Sequence, residues 1–396
     1  MNVVHKGLTL LLRSALTGEK LPMPDGFTPE AAREIIKRQG LAPLVYAGAR
    51  NCGIPREDPF LQKLWQRYLR HTLQSERQMA AVNQVLHLFA ENGIDCLPLK
   101  GCVMKSLYPS GELRVMGDAD ILIRQEQYDR IRPLVEEMGF RQVRESLYDY
   151  EWQREDLYLE PHKSLISPAE KDLYALLGTG WEKAVCEEGN RYVLSPEDTF
   201  LFLFAHMTKH YRNCGIGSRH MVDLYVYRRA NPGMDENYLE TAMEKLGLLE
   251  FYRNILRLLD CWFSDGPEDS VVTFITEYVF SGGSFGLQEY GVHTEAARKS
   301  GGADRVRGSR RKTLLRTVFP DRRTMAKHYR ILEKLPALLP ILWVYRWFEV
   351  LLRRPERIGR KLRVAAQTTD EKVIARQKAL QYVGLDILPE EEPGKI

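Results

Sequence analysis

Two aspartates, Asp118 and Asp120, stand one residue apart at the start of an apolar run. Because alternate side chains of a β-strand point to the same face, a strand at this position places both carboxylates side by side. Neighbouring carboxylates repel each other unless a cation lies between them. Mg²⁺ prefers oxygen ligands and is commonly held by one or two carboxylates together with substrate phosphates. The pair therefore predicts half of a metal site for phosphoryl transfer.

The residues before the aspartates predict a turn that could approach a phosphate. Gly101 follows a predicted strand over residues 94–99 and permits a close approach of the backbone, while the next short helix would direct its N–H groups at an anion. Lys100 and Arg114 add positive charge on either side of that helix. An Asp-x-Asp pair alone is also common in surface turns. The combination of all these features within residues 94–124 favours a binding site.

The segment from Leu99 to Ile123, LKGCVMKSLYPSGELRVMGDADILI, resembles the nucleotidyltransferase superfamily with a DNA polymerase β-like catalytic core. It is most similar to a bacterial branch of largely uncharacterised nucleotidyltransferases in which Leu-Lys-Gly, Tyr-Pro, Arg and Gly-Asp-x-Asp recur. The segment Gly40 to Tyr46, GLAPLVY, matches the same branch. The turn here is Lys100-Gly101, whereas the better-known members have Gly-Ser. The serine hydroxyl of their phosphate-binding turn is therefore absent.

The superfamily pattern includes a third carboxylate on a later strand, and Glu160 is the candidate. Beyond a predicted helix over residues 125–138, a strand-like segment places Glu160 and His162 on one face. The resembling family carries an acid followed closely by a histidine, as in Glu160-Pro161-His162. A glutamate on a solvated hairpin face would show the same pattern. Asp156 in the preceding turn is the alternative third carboxylate.

A helix beginning at the capping sequence Ser195-Pro196-Glu197-Asp198 carries Lys209 and His210. The resemblance implies that this helix belongs to a domain that closes over the nucleotide, with both residues contacting the triphosphate. The spacing of His206 and His210 also suits a metal. Zinc is not favoured, because the sequence lacks the glutamate of a His-Glu-x-x-His motif.

The resembling family follows this helix with a second helix that contains an aspartate, matched here by Asp223. A functional interpretation assigns Asp223 to the nucleotide site. The structural alternative is that Asp223 pairs with His206 or Arg219 and locks two helices together.

Composition limits the possible classes of protein. The chain has 396 residues, of which 44% are hydrophobic, enough for two or three packed domains. A net charge of +4 does not require nucleic acid as a partner. No apolar run approaches the roughly 18 residues of a membrane helix, and residues 1–20 lack the features of a signal peptide. The six cysteines show no Cys-x-x-Cys spacing, which argues against a zinc cluster or disulfide framework. We expect a cytoplasmic protein.

These patterns, with the resemblance, predict an α+β fold: a small mixed β-sheet nucleotidyltransferase core flanked by an N-terminal helical region and a mostly helical C-terminal domain. The expected divisions are an N-terminal helical region (1–92), the catalytic core (93–180), a helical nucleotide-closing domain (181–280), a mobile loop (281–312), a basic helical C-terminal region (313–385) and a tail (386–396).

The C-terminal region is rich in arginine and contains one long apolar segment. Arginines cluster over residues 305–311 and 353–363, and the segment 335–352, LPALLPILWVYRWFEVLL, lies between them. The favoured interpretation is a set of core helices in an all-α domain. The alternative is an interfacial helix or a docking surface.

The resemblance implies Mg²⁺-dependent transfer of a nucleoside monophosphate from an NTP to an acceptor hydroxyl, with release of pyrophosphate and two metal ions. Asp118, Asp120 and Glu160 would hold the metals, while Lys100, the Gly101 amide and Arg114 would neutralise the phosphates. The acceptor, whether small molecule, sugar, protein or RNA, stays open. The alternatives are a catalytically degenerate binding or regulatory module, and a nucleic-acid or membrane-surface binder acting through the basic C-terminal region. We also expect that neutralising either aspartate relieves repulsion without loss of stability.

Overall fold

The computed structural model describes residues 1–146, 148–284, 286, 289–294, 319–326, 329, 331–353 and 369–386. It divides into two compact units: residues 1–209 with 216–284, and residues 210–215 with 285–396. The predicted N-terminal region and catalytic core both fall in the first unit, together with nearly all of the predicted nucleotide-closing domain.

The first ninety residues are helical, as the sequence predicts. The helices are α1 (Val3–Thr17), α2 (Arg33–Gln39), α3 (Ala42–Asn51) and α4 (Pro59–Glu91). Local capping explains where they begin. The carboxylate of Asp58 accepts hydrogen bonds from the amides of Phe60 and Leu61, both at 2.9 Å, and Pro59 occupies the first turn of α4. Thr28 caps a short 3₁₀ helix in the same way, because its hydroxyl accepts from the amide of Ala31.

A seven-stranded mixed sheet forms the centre of the first unit, in the order β3-β4-β5-β2-β1-β7-β6. Its strands are β1 (Cys96–Pro98), β2 (Ala119–Ile123), β3 (Arg141–Glu145), β4 (Tyr150–Gln153), β5 (Tyr158–His162), β6 (Val185–Glu188) and β7 (Arg191–Val193). Strand β2 pairs antiparallel to β1 and parallel to β5. The predicted α+β fold with a small mixed sheet is confirmed.

The β6–β7 hairpin is a feature that the sequence interpretation missed. It pairs antiparallel within itself, and β7 lies parallel to β1. The sheet therefore continues past the predicted core boundary at residue 180. The signal was the Gly189-Asn190 turn between two short segments, a pattern typical of a tight hairpin.

The alternation of side chains along β2 separates the core from the polar face of the sheet. Ala119, Ile121 and Ile123 pack in one buried cluster with residues of α4 and of α6 (Tyr128–Glu137). Burying this apolar face fixes the register of β2, since a slip of one residue would turn these side chains away from the core. The opposite face consequently carries Asp120. A short helix, α5 (Gly101–Met104), joins β1 to the loop that leads into β2.

After α7 (Lys171–Leu177) and the β6–β7 hairpin, the chain is helical: α8 (Pro196–Asn213), α9 (Ser218–Ala230), α10 (Glu236–Lys245), α11 (Leu249–Phe263) and α12 (Ser270–Ser281). Residues 210–213 of α8 belong to the second unit. The predicted helix start at Ser195 is confirmed, because its hydroxyl accepts from the amide of Asp198 at 3.0 Å.

The described part of the second unit contains the helices Arg322–Ala326, Ile331–Lys334, Leu339–Arg353 and Asp370–Tyr382. Most of the predicted mobile loop, the arginine clusters 305–311 and 354–363, and the tail beyond residue 386 lie outside the described residues. None of the helices in the described ranges has the length and apolar character needed to cross a membrane.

Candidate metal and phosphate site

The pairing of β2 with β5 brings the predicted carboxylates together. The parallel register places Asp120 beside Glu160 and Leu122 beside His162. Ligand atoms of Asp120, Glu160 and His162 all lie within 4.8 Å of one another. Asp118 stands immediately before β2. Such a set of carboxylate oxygens and an imidazole nitrogen can hold a divalent cation.

Asp120 is the most buried member of this cluster, with 1% of its surface exposed. Its Oδ1 accepts a hydrogen bond from the Lys100 ammonium at 2.8 Å and lies 2.7 Å from Nε2 of His162. Burial by itself would raise the pKa of Asp120, but Lys100 and His162 outweigh burial and lower it. Asp120 is therefore held as a carboxylate.

The pKa values of the other two carboxyl groups, Glu160 and Asp118, are shifted in the opposite direction. Burial, followed by repulsion from Asp120 and Asp118, raises the pKa of Glu160 to about 8. Burial and then repulsion from Asp120 also raise the pKa of Asp118. The positive charge on Lys100 is thus too small to compensate three adjacent carboxylates. This deficit is the physical reason why the cluster suits a divalent cation.

The backbone of Lys100 is strained. Its φ of +40° and ψ of −109° occur at the turn between β1 and α5, and Lys100 is the one non-glycine residue with positive φ in the described chain. Such a conformation costs on the order of 1–3 kcal/mol and persists only where surrounding contacts impose it. The contact with Asp120 accompanies this conformation. Burial alone lowers the pKa of Lys100, but Asp120, Asp118 and Glu160 together raise it.

Close packing favours glycine at position 101. A Cβ at this position would lie 2.7 Å from Sδ of Met116 and 2.9 Å from Nη1 of Arg114. These two residues belong to the loop that leads into Asp118, so the glycine lets α5 lie directly against that loop. With four residues, α5 forms a tight turn between β1 and this loop.

Arg114 is buried in an ion pair that joins the loop before β2 to α9. Its Nε and Nη2 donate to the two oxygens of Asp223, both at 2.8 Å, and the hydroxyl of Tyr108 donates to Oδ1 of Asp223 at 2.7 Å. Burial would raise the pKa of Asp223, but Arg114 lowers it. Asp223 thus joins α9 to the loop before β2 through Arg114. The structural alternative drawn from the sequence had instead named His206 or Arg219 as its partner.

Lys209 lies near the cluster on α8. Its ammonium is 5.3 Å from the ring centre of Tyr148, and no ion pair with a carboxylate is present among the described residues. Burial, followed by repulsion from Lys100, lowers its pKa. His210 belongs to the second unit. His206 stacks on His220 with ring centres 6.1 Å apart.

Sequence reasoning assigned no role to His162 or Tyr148. His162 carries the same strand alternation as Glu160, so the signal was present, and its Nε2 contacts Asp120. Tyr148 contacts His162 edge-on, with ring centres 4.9 Å apart. No local pattern indicates this contact. The alternative carboxylate Asp156 instead accepts from Nε of Arg154 at 2.7 Å in the β4–β5 turn.

Comparison with known proteins identifies the family. No curated protein and no solved structure is significantly similar to this chain. The family described as "Uncharacterised nucleotidyltransferase" matches residues 25–264, which include the whole sheet, the carboxylate cluster and the helices α8 and α9. The match covers more than half of the sequence, and the chain belongs to this family of uncharacterised nucleotidyltransferases.

Proposed function

We propose that the protein transfers a nucleoside monophosphate from a Mg²⁺-bound NTP to an acceptor hydroxyl and releases pyrophosphate. The observation that carries this proposal is the parallel register of β2 and β5, which sets Asp120 beside Glu160, with Asp118 one residue before β2. Family membership supports nucleotidyl transfer in general. The metal, the nucleotide and the acceptor are parts of the proposal.

Asp118, Asp120 and Glu160 would hold two Mg²⁺ ions, with His162 as a further ligand or as the partner that orients Asp120. When bound, these ions would neutralise charge on the triphosphate and on the attacking oxygen. Glu160 accepts no hydrogen bond from the described residues, and Nε2 of His162 lies 3.8 Å from its Oε2. Its oxygens are therefore left for a cation or for the acceptor's proton.

The reaction forms a bond from the acceptor oxygen to the α-phosphorus and breaks the bond from that phosphorus to the bridging oxygen. Pyrophosphate leaves with the electron pair of the broken bond, and we assign the acceptor's proton to the carboxylate form of Glu160, which bound cations would favour. Lys100, the Gly101 amide and Lys209 would bind the phosphates. His210 stays a proposed triphosphate contact.

Arg114 is proposed to act through the loop. Both of its bonds to Asp223 hold the segment that carries Asp118, so its charge serves to position that segment beside the nucleotide.

All six cysteines are free thiols, which supports the proposal of a reducing, cytoplasmic compartment.

The test is calorimetric titration of each of the four NTPs into the purified protein, with Mg²⁺ and with EDTA. The variants are Asp118→Asn and Glu160→Gln, and the control is Asp129→Asn, an exposed carboxylate on α6. We expect a Mg²⁺-dependent component of NTP binding that is lost in both variants and persists in the control. Absence of binding to every NTP, or equal binding by Asp118→Asn, would contradict the proposal.

A further inference from the structure

A cavity of about 380 Å³ opens between α2, α3 and α4 of the first unit. Its volume lies within the range of roughly 300–1,000 Å³ typical of small-molecule sites. The polar residues that line it are Lys37, Arg67, Arg70, His71 and Gln74. None of them belongs to the carboxylate cluster, so the metal and phosphate site leaves this cavity unexplained.

The charged side chains that line this cavity are all positive. No aspartate or glutamate lines it, and Lys37, Arg67 and Arg70 form no ion pair within the described part of the chain. Other arginines in the same helical region are compensated: Arg33 pairs with Glu30, and Arg13 lies 2.7 Å from Asp265. Three cations gathered in one recess without a carboxylate favour an anionic ligand, since a bound anion would relieve their mutual repulsion.

His71 responds to this positive potential. Burial lowers the pKa of its imidazole, and Arg70, Arg67 and Lys105 lower it further. The wall opposite α4 is the segment Gly40 to Ala42, at the start of α3. Gly40 and Ala42 line the cavity at the N-terminus of α3, where the positive end of the helix dipole adds to the potential.

The same face of α4 is bonded to the loop that leads into Asp118. The ammonium of Lys105 donates to the Ser75 hydroxyl at 2.6 Å and to the carbonyl of Arg114 at 2.9 Å. One turn further along α4, Gln78 donates to the carbonyl of Met116 at 3.2 Å. The cavity wall and the loop are therefore parts of one hydrogen-bonded assembly.

We propose that this cavity binds the phosphate group of a small soluble ligand, at a site separate from the carboxylate cluster. The guanidinium groups of Arg67 and Arg70 supply paired donors that match phosphate oxygens, and Lys37 supplies a point charge from the opposite helix. The recess suits a compact ligand. This proposal stands independently of the proposed nucleotidyl transfer.

The test is calorimetric titration of tripolyphosphate into the full chain in EDTA, which removes divalent cations from the carboxylate cluster. The double variant Arg67→Gln/Arg70→Gln is compared with Lys63→Gln/Arg77→Gln. That control removes the same charge from exposed positions of α4 that do not line the cavity. We expect affinity about tenfold weaker or more in the cavity variant and unchanged affinity in the control. Lys37→Gln, on a separate helix, is expected to weaken binding independently.

Two further measurements establish where the ligand binds and whether it is soluble. Lys209→Gln alters the cluster region and is expected to bind tripolyphosphate like the wild type. Binding that Lys209→Gln abolishes but the cavity variant retains would overturn the proposal, as would no binding by the wild type or equal loss in the surface control. Retention of the protein on phosphatidylglycerol vesicles through Arg67 and Arg70 would assign the site to a lipid headgroup and overturn the soluble ligand.

Discussion

Neutralising the two aspartates one at a time should have opposite effects on stability. Sequence reasoning treats Asp118 and Asp120 alike, as a repelling pair. The structure separates them, because Asp120 accepts from Lys100 and His162 whereas repulsion and burial raise the pKa of Asp118. An acid whose pKa is raised by folding is destabilising when charged at neutral pH. Asp118→Asn should therefore leave the free energy of unfolding within about 1 kcal/mol of the wild type, or increase it.

Asp120→Asn should be strongly destabilising. It removes the charge that compensates Lys100, whose side chain is 17% exposed, while Asp120 itself is 2% exposed at the side chain. Breaking a buried ion pair from one side costs roughly 3–5 kcal/mol. The remaining carboxylates of Asp118 and Glu160 still attract the ammonium, so we expect a cost of about 2–4 kcal/mol.

The assay is urea denaturation near neutral pH in EDTA, followed by circular dichroism, with Asp129→Asn as the control. Adding Mg²⁺ should stabilise the wild type by mass action and should stabilise Asp118→Asn much less. An Asp120→Asn protein as stable as the wild type would refute the buried Lys100–Asp120 pair. A loss of more than about 2 kcal/mol in Asp118→Asn would make that aspartate a structural residue.

Three further outcomes test the surroundings of the cluster. Arg114→Met should lower the free energy of unfolding, measured by urea denaturation, by about 3–5 kcal/mol, because it leaves Asp223 buried without its cation. Adding Asp223→Leu to this variant should restore a large part of the lost stability. Gly101→Ala should cost about 1–3 kcal/mol through contact with Met116, whereas Gly117→Ala, where nothing lies within 4 Å, should be much milder. Burial lowers the pKa of His220 from 6.5 to about 4, so the unfolded chain binds the extra proton between these values and stability falls as the pH decreases. Between pH 7 and pH 5 the wild type should lose about 1–2 kcal/mol relative to His220→Gln; parallel acid sensitivity of the two proteins would contradict the assignment.

Local sequence patterns predicted several features that depend only on neighbouring residues. The caps at Thr28 and Ser195 follow from side chains three residues before the amides they bind. The placement of Asp120 on the polar face of β2 follows from strand alternation, because Ile121 and Ile123 must enter the core. These interactions need no knowledge of the rest of the fold.

Contacts between distant segments could not be predicted in this way. The Arg114–Asp223 pair joins residues 109 positions apart, and its partners were identified in the structure by geometry alone. The β7 strand adds beside β1 across almost a hundred residues, a pairing that a short hairpin signal cannot specify. The cationic cavity likewise requires α3 to pack against both α2 and α4, so Lys37 and Arg67 give no sign in the sequence that they share a recess.

Lys100 connects the strain in the turn with the charge of the cluster. Its positive φ costs on the order of 1–3 kcal/mol, and the buried contact with Asp120 is the interaction that this conformation permits. A cation that binds Asp120 would compete with the ammonium for the same oxygen, and a phosphate would offer the ammonium a new partner. Metal and nucleotide binding would thus favour each other, because the cation reduces the repulsion between carboxylates and phosphates, and the phosphates give the displaced ammonium a partner. We therefore interpret Lys100 as a group that stabilises the carboxylates in the free protein. When both ligands bind, its ammonium would move from Asp120 to a phosphate.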